Sequence, residues 1–333
     1  YNPIKHAERA QARRDNVLER MFSSGVISAA DYELAVSSPL RKRGSSMRQT
    51  SSDYFIEHIR LYLERKYGTD RLFEGGLRIY TTLDQDLSVY ADSVLNEYLT
   101  GIEKRYNYPN KMADVSPNAF DINTKYLQGG LVLMENRTGF VRAMIGGRDF
   151  SHSKFNRMTQ AKRQPGSSIK PIYYTAAVEK GYTPATVIND AEISLMGGDG
   201  KKWTPTNYSK KYYGFTRMRT AITHSYNVWA VKTAIDLGLD TLTDAFNRFG
   251  INRKVTDYSA ALGSYEVTPI TMVSAYSTFP NGGTRVSPVF ITKVEDINGR
   301  VLERGIATKS KVTTEEVAYI MTSMMQSVTT SGT

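Results

Sequence analysis

The 333-residue sequence contains no cysteine and only four histidines. The first absence excludes disulfides, thiolate metal sites and a cysteine nucleophile. The histidines are scattered, with no HxxxH pair, so the sequence carries no zinc signature and no cofactor motif. No uninterrupted apolar stretch approaches the roughly 18 residues that cross a bilayer. Nor does a secretory signal pattern or an initiator Met stand at Tyr1, so the chain is expected to be an excised piece whose start lies upstream. No internal repeat is present. What the sequence does hold is enough apolar residue for a sizeable core, 40% hydrophobic against 23% charged, which excludes wholesale disorder. Acidic side chains are outnumbered, 33 to 43, and the resulting +10 favours anionic surroundings without choosing among a membrane surface, an acidic polymer and nucleic acid.

Two short helices are expected first. Val17, Leu18 and Met21 make a thin apolar face that Gly25 ends. Ser28-Ala29-Ala30-Asp31 then has the form of a capping box and opens a second helix running to Pro39. Residues 39–52 are basic and Ser-rich, and read as a solvated linker or as a patch against anionic lipid or polymer. An aromatic-rich helix follows over 53–67, ending at Gly68. A strand carries Leu77 and Ile79, and Asp84 caps a helix bearing Leu87, Ala91, Val94 and Leu95. The stretch from Tyr106 to Lys125 is loop-like.

Leu131-Val132-Leu133-Met134 and Phe140 to Ile145 flank a turn over Asn136 to Gly139, a strong hairpin signal. The unbroken apolar run of the first strand predicts a central strand packed on both faces. Ser167 to about Leu237 reads as helices and polar loops. A second hairpin is expected where Val289 to Ile297 and Val301-Leu302 flank Asn298-Gly299. Strands, then a helical block, then strands predict a mixed α/β (α+β) domain: an antiparallel sheet with a helical subdomain.

The chemistry concentrates in Arg163-Gln164-Pro165-Gly166-Ser167-Ser168-Ile169-Lys170-Pro171. One helix is expected from about Ser167 to Glu179, and Pro171 does not break it because N–H groups of the first turn lack intrahelical partners anyway. Ser167 and Lys170, three apart, share a face, whereas Ser168 and Lys170 do not. Ser167 is therefore the candidate nucleophile and Lys170 its candidate base. A lysine in a desolvated site at a helix N-terminus is biased towards its neutral amine, and the same N-terminus offers N–H groups to an oxyanion. Taken alone, SxxK is weak evidence and reads as a capped helix with a solvated lysine. The second element is His224-Ser225-Tyr226-Asn227. Its hydroxyl can relay a proton and its amide can hold a carbonyl and the lysine, although Ser and Asn are also ordinary helix caps.

SxxK, a Ser-x-Asn element and KTG together mark penicillin-binding proteins and class A β-lactamases. The first two occur here in order and the third does not occur. At these residues the sequence resembles a class A (bifunctional) penicillin-binding protein. The resemblance extends to Leu131–Gly147, to Phe155-Asn156-Arg157, and to Trp203-Thr204-Pro205-Thr206-Asn207-Tyr208, which is similar to the family's W-x-P-x-N segment. It includes Ala261-Leu262-Gly263-Ser264 with Glu266, Thr268 and Pro269, then Ala275-Tyr276 and Asn281-Gly282-Gly283. Tyr1-Asn2-Pro3 and Arg13 to Met21 look like the end of the family's glycosyltransferase.

The resemblance implies a serine β-lactamase/penicillin-binding transpeptidase-like fold. It implies the tail of a glycosyltransferase over 1–38, a linker over 39–75, a small interdomain region over 76–125 and a transpeptidase over 126–333, truncated before KTG. Ser167 would be acylated, Lys170 would be its base, Ser225 would relay the proton, and Asn227, Trp203 and Asn207 would bind substrate. The implied reaction is D,D-transpeptidation of peptidoglycan stem peptides, with β-lactams acylating the same serine and no cofactor or metal. The implied place is the extracytoplasmic face of a bacterial cell membrane, through an upstream anchor. The absent KTG suggests a chain cut or nicked after Thr333, or a second polypeptide piece that completes the fold. A D,D-carboxypeptidase would use the same residues with water as acceptor. A β-lactamase would need a water-activating acid, for which Glu266 is the sole acid near the Ala-Leu-Gly-Ser segment. A Ser225–His224 hydrolase fails because adjacent residues do not face one another. A basic non-enzymatic scaffold would use the +10 charge, yet no nucleic-acid motif is present and nucleic acid is not an expected partner.

Overall fold

The computed structural model describes residues 7–38, 51–115, 124–196 and 200–332. It divides into two compact units, Tyr1–Thr50 and Ser51–Thr333. Tyr1-Asn2-Pro3 and the basic stretch 39–50, read above as linker or anionic-surface patch, lie outside the described residues.

In the first unit, α1 (Ala7–Ser23) and α2 (Ala29–Ser37) are separated at Gly25, whose φ of +69° suits a residue without Cβ. Ser28 Oγ accepts from the Asp31 N–H at 3.2 Å and donates to its carboxylate at 2.6 Å, the expected cap with Asp in place of Glu. No residue of α2 is buried.

The second unit begins with α3 (Asp53–Tyr67), which stops at Gly68 (φ +83°), and continues through α4 (Thr69–Phe73) and β1 (Arg78–Thr81). Asp84 accepts from the Leu87 N–H at 3.0 Å and opens α5 (Gln85–Arg105). β2 (Leu131–Met134) and β3 (Val141–Ile145) form the first hairpin, closed at Gly139. Next come α6 (Lys170–Glu179), the short strands β4 (Val187–Asp190), β5 (Leu195–Met196), β6 (Lys202–Trp203) and β7 (Gly214–Arg217), and then α7 (Met218–Thr223), α8 (Asn227–Leu237), α9 (Leu239–Arg248) and α10 (Pro269–Tyr276). β8 (Thr284–Val286), β9 (Ile291–Glu295), β10 (Val301–Arg304), β11 (Lys309–Lys311) and α11 (Glu315–Ser331) complete the described chain. All strand ladders are antiparallel: β1–β9–β10, β2–β3, β4–β7, β5–β6 and β8–β11.

Two main cores hold this unit, with a small third cluster of Ala91, Ala143 and Ile145. The larger surrounds α6 and α8, with Ile172, Tyr173, Trp229, Val231, Phe246 and Met321 sealed from solvent. Every residue of α6 from Lys170 to Val178 is buried, so this helix has no solvent face. Each fully buried large apolar side chain contributes about 1.5–3 kcal/mol. The smaller core joins Phe55, Ile59 and Leu63 of α3 to Val141, Met144, Ile291 and Val294 of the sheets.

Within the range 39–75 that the resemblance implies as a linker, α3 is the helix expected over 53–67 and supplies a third of the buried residues of the smaller core. Three expectations are revised. β2 is not a doubly packed central strand: it pairs with β3 alone, and Leu133 is 42% exposed. β3 and β9 are the buried strands, and β9 has neighbours on both sides. The helical block carries two ribbons, β4–β7 and β5–β6, whose strands of two to four residues are too short to show a period. The expected single helix from Ser167 is a 3-10 turn over Gly166–Ile169 that passes into α6 at Lys170.

Candidate active site

Pro165 and Gly166 (φ +57°) turn the chain into the 3-10 segment that carries Ser167. Residues three apart eclipse one another in a 3-10 turn, so Ser167 and Lys170 share a side, and the Lys170 N–H closes the turn on Ser167 O. Pro171 sits within the first two helical positions and removes no needed bond. The two side chains of the pair have opposite surroundings: Ser167 is exposed, while Lys170 is 2% exposed at the floor.

The Nζ of Lys170 donates to Ser225 O at 2.8 Å, to Ser225 Oγ at 3.1 Å and to Asn227 Oδ1 at 2.8 Å. All three acceptors are neutral. Burial alone pulls the lysine down to about 7, because desolvation penalises the ammonium and no carboxylate offsets it. Such an amine is neutral in about half of the molecules at pH 7, a state in which it can accept a proton.

Ser225 reaches this position through an unusual backbone. It follows the C-cap of α7 and has φ +55°, in the left-handed region. Its neighbour Tyr226 is extended and offers no side-chain cap to α8. That cap is supplied by Asn207, whose Oδ1 accepts from the N–H groups of Asn227 (2.7 Å) and Val228 (3.3 Å). Asn227 in turn donates from Nδ2 to Thr206 O at 3.0 Å, which aims its Oδ1 at Lys170.

The turn bearing the serine is braced from the other side. Gly263 (φ +73°) ends a 3-10 segment over Tyr258–Leu262, and a Cβ there would fall 2.5 Å from the Gly166 nitrogen. Arg163 and Val267 exchange backbone hydrogen bonds of 3.0 and 2.9 Å. Tyr276 donates to Ser168 O at 2.7 Å, and Ser168 Oγ donates to Pro165 O at 2.7 Å. The second serine is thereby engaged with backbone.

Of the residues singled out in the sequence, the structure brings Lys170, Ser225 and Asn227 into direct contact, with Ser167 one turn away. Asn207 is placed differently. It is 3% exposed, and protein groups occupy both its donors and its acceptor, so it orders the start of α8. Trp203 is half-buried and lines a cleft of about 720 Å³ with Leu195, Met196, Leu239, Tyr258 and Ser259. Sequence reasoning missed Thr206 and Asp190, since a backbone carbonyl in a loop and a lone aspartate carry no spacing signal.

The model for the penicillin binding protein transpeptidase domain matches residues 129–333. The chain is 32% identical to penicillin-binding protein 1A of Aquifex aeolicus, with all of this chain and 54% of that protein aligned. It is 28% identical to penicillin-binding protein 1B of Vibrio cholerae, over all of this chain and 41% of that protein. It thus spans about half the length of the curated relatives it matches. Among solved structures, penicillin-binding protein 1A of Haemophilus influenzae superposes with a TM-score of 0.78 at 23% identity, over 98% of this chain and 65% of that one. PonA1 of Mycobacterium tuberculosis, solved with penicillin V, gives 0.61 at 23% identity over 81% and 69%. With the family model matched over residues 129–333, the chain belongs to the penicillin-binding protein transpeptidase family.

Proposed function

We propose that this chain carries the acylation centre of a peptidoglycan D,D-transpeptidase. The observation that carries the reading is a carboxylate-free, buried Lys170 hydrogen-bonded to Ser225 and Asn227, one turn from an exposed Ser167. Neutral Lys170 takes the Ser167 proton, directly or through Ser225 Oγ. Ser167 Oγ bonds to the carbonyl carbon of the penultimate D-Ala of a stem peptide. The peptide C–N bond then breaks, and the proton returns through Ser225 to the departing D-Ala amine. An amine of a neighbouring stem displaces Ser167 and forms the cross-link. A β-lactam follows the first half: its ring C–N bond opens and the adduct stays on Ser167.

Further assignments follow the family resemblance. Residues 1–38 are assigned to the end of a glycosyltransferase, 76–125 to an interdomain region and 126–333 to the transpeptidase, working at the extracytoplasmic face of a cell membrane. No helix among the described residues is long and apolar enough to cross a membrane.

A fluorescent penicillin tests the reading. One label per chain is expected on the peptide containing Ser167, and none after Ser167→Ala. A label that persists in that variant, or none in the parent protein, removes the proposal. Because the base must be neutral, the acylation rate should rise about tenfold per unit below pH 7 and level off above the Lys170 midpoint of about 7.

A further inference from the structure

The geometry points to Asp190 as a positioning residue that acts on Lys170 through Asn207 and Asn227. The inference rests on the acylation reading above and adds a residue to it. Asp190 ends β4 and is fully buried. Its Oδ2 accepts from Asn207 Nδ2 at 2.7 Å and from the Tyr213 N–H at 2.9 Å. The second Asn207 donor goes to Lys211 O at 2.9 Å.

Both amide hydrogens of Asn207 therefore face acceptors that can only accept, and its Oδ1 is forced towards the two N–H groups at the start of α8. Without the carboxylate, the reversed amide would set an NH₂ against those N–H groups. Asn227 would lose its place, and Lys170 one of its three acceptors. A buried carboxylate is costly, and a purely structural cap needs none, since a serine or threonine beside the helix would serve. Asp190 also borders the helix of the base. Tyr174, one turn beyond Lys170, is fully buried, and the charge of Asp190 adds to burial in holding the Tyr174 phenol up.

The test combines kinetics with a readout that needs no catalysis. In Asp190→Ala, acylation of Ser167 by fluorescent penicillin is expected to fall about tenfold or more. The Lys170 midpoint should move down by about half a pH unit or more, because an acceptor that favours the ammonium is lost. The Lys170 Cε resonance, identified by its loss in Lys170→Arg, reads that midpoint directly. Asp190→Asn keeps a carbonyl oxygen for both donors and should restore the rate to within about threefold. In an Asn207→Ala background, Asp190→Ala should add nothing.

Where Asp190→Ala does not fold, exchanged partners carry the test. Asn207→Asp alone sets two carboxylates together and should shift the resonance midpoint, and adding Asp190→Asn should return it. A parent protein without label on Ser167 defeats the acylation reading and leaves the resonance experiment standing. An unmoved midpoint in folded Asp190→Ala, or full additivity with Asn207→Ala, overturns the inference.

Discussion

Among the described residues an arginine and a lysine are buried, and their company differs. Arg148, in the loop after β3, reaches α5 with its guanidinium 2.7 Å from Glu103; the side chains are 1% and 3% exposed. It also donates to Asn96, Thr100 and Leu127 O. Lys170 is as deeply buried, yet it meets only a carbonyl, a hydroxyl and an amide. The first arrangement supplies a counter-charge to a group that is always protonated. The second withholds one from a group able to give up its proton. The contrast teaches how the same fold distinguishes a cation that ties elements together from an amine kept ready to accept a proton.

Three changes would break or sharpen that contrast. Lys170→Met should lower the penicillin acylation rate about a thousandfold or more while stability in urea stays within about 2 kcal/mol of the parent. A Lys170→Met protein that fails to fold would show that the lysine is structural. Glu103→Ala should do the reverse. It should cost about 3–5 kcal/mol, because it strands the Arg148 charge, yet leave the acylation rate of the folded fraction unchanged. A loss below about 1 kcal/mol would remove Arg148 from the comparison.

The smallest effect concerns pH. The folded-state pKa of Lys170 is lowered to about 7 from an unfolded value near 10.4, so between pH 7 and 9 the unfolded chain binds more protons. Stability should therefore rise with pH across that window. The rise should vanish in Lys170→Met, and equal slopes in the two proteins would show that Lys170 is not the group responsible.

The comparison also shows which features could be seen in advance. Ser28, Asp84, Gly25, Gly68 and Gly299 act through neighbours two to four residues away, and the elements they bound stand where those residues predict. The Ser167–Lys170 pair has the same local character and survives the change from an α-helical to a 3-10 turn, since spacing by three suits both. Long-range features were hidden. Leu131–Met134 has the composition of a central strand, but its position at an edge depends on what lies beside it. Asn207 has the chemistry of a substrate ligand, and only its distance from Asp190 and from the start of α8 shows that its polar atoms are already engaged. The helix over 53–67 is legible from its own residues, but its apolar face packs against β3 and the smaller core, distant in sequence, so its place in a core is not.

The left-handed backbone of Ser225 has one more consequence. A non-glycine residue with this φ is disfavoured by about 1–2 kcal/mol, and glycine would relieve the cost at once. Glycine would also erase the hydroxyl that Lys170 holds at 3.1 Å. Robustness and the surroundings of the lysine therefore pull in opposite directions at this position: a version of the chain optimised for durability alone would discard one of the three oxygens that meet Lys170.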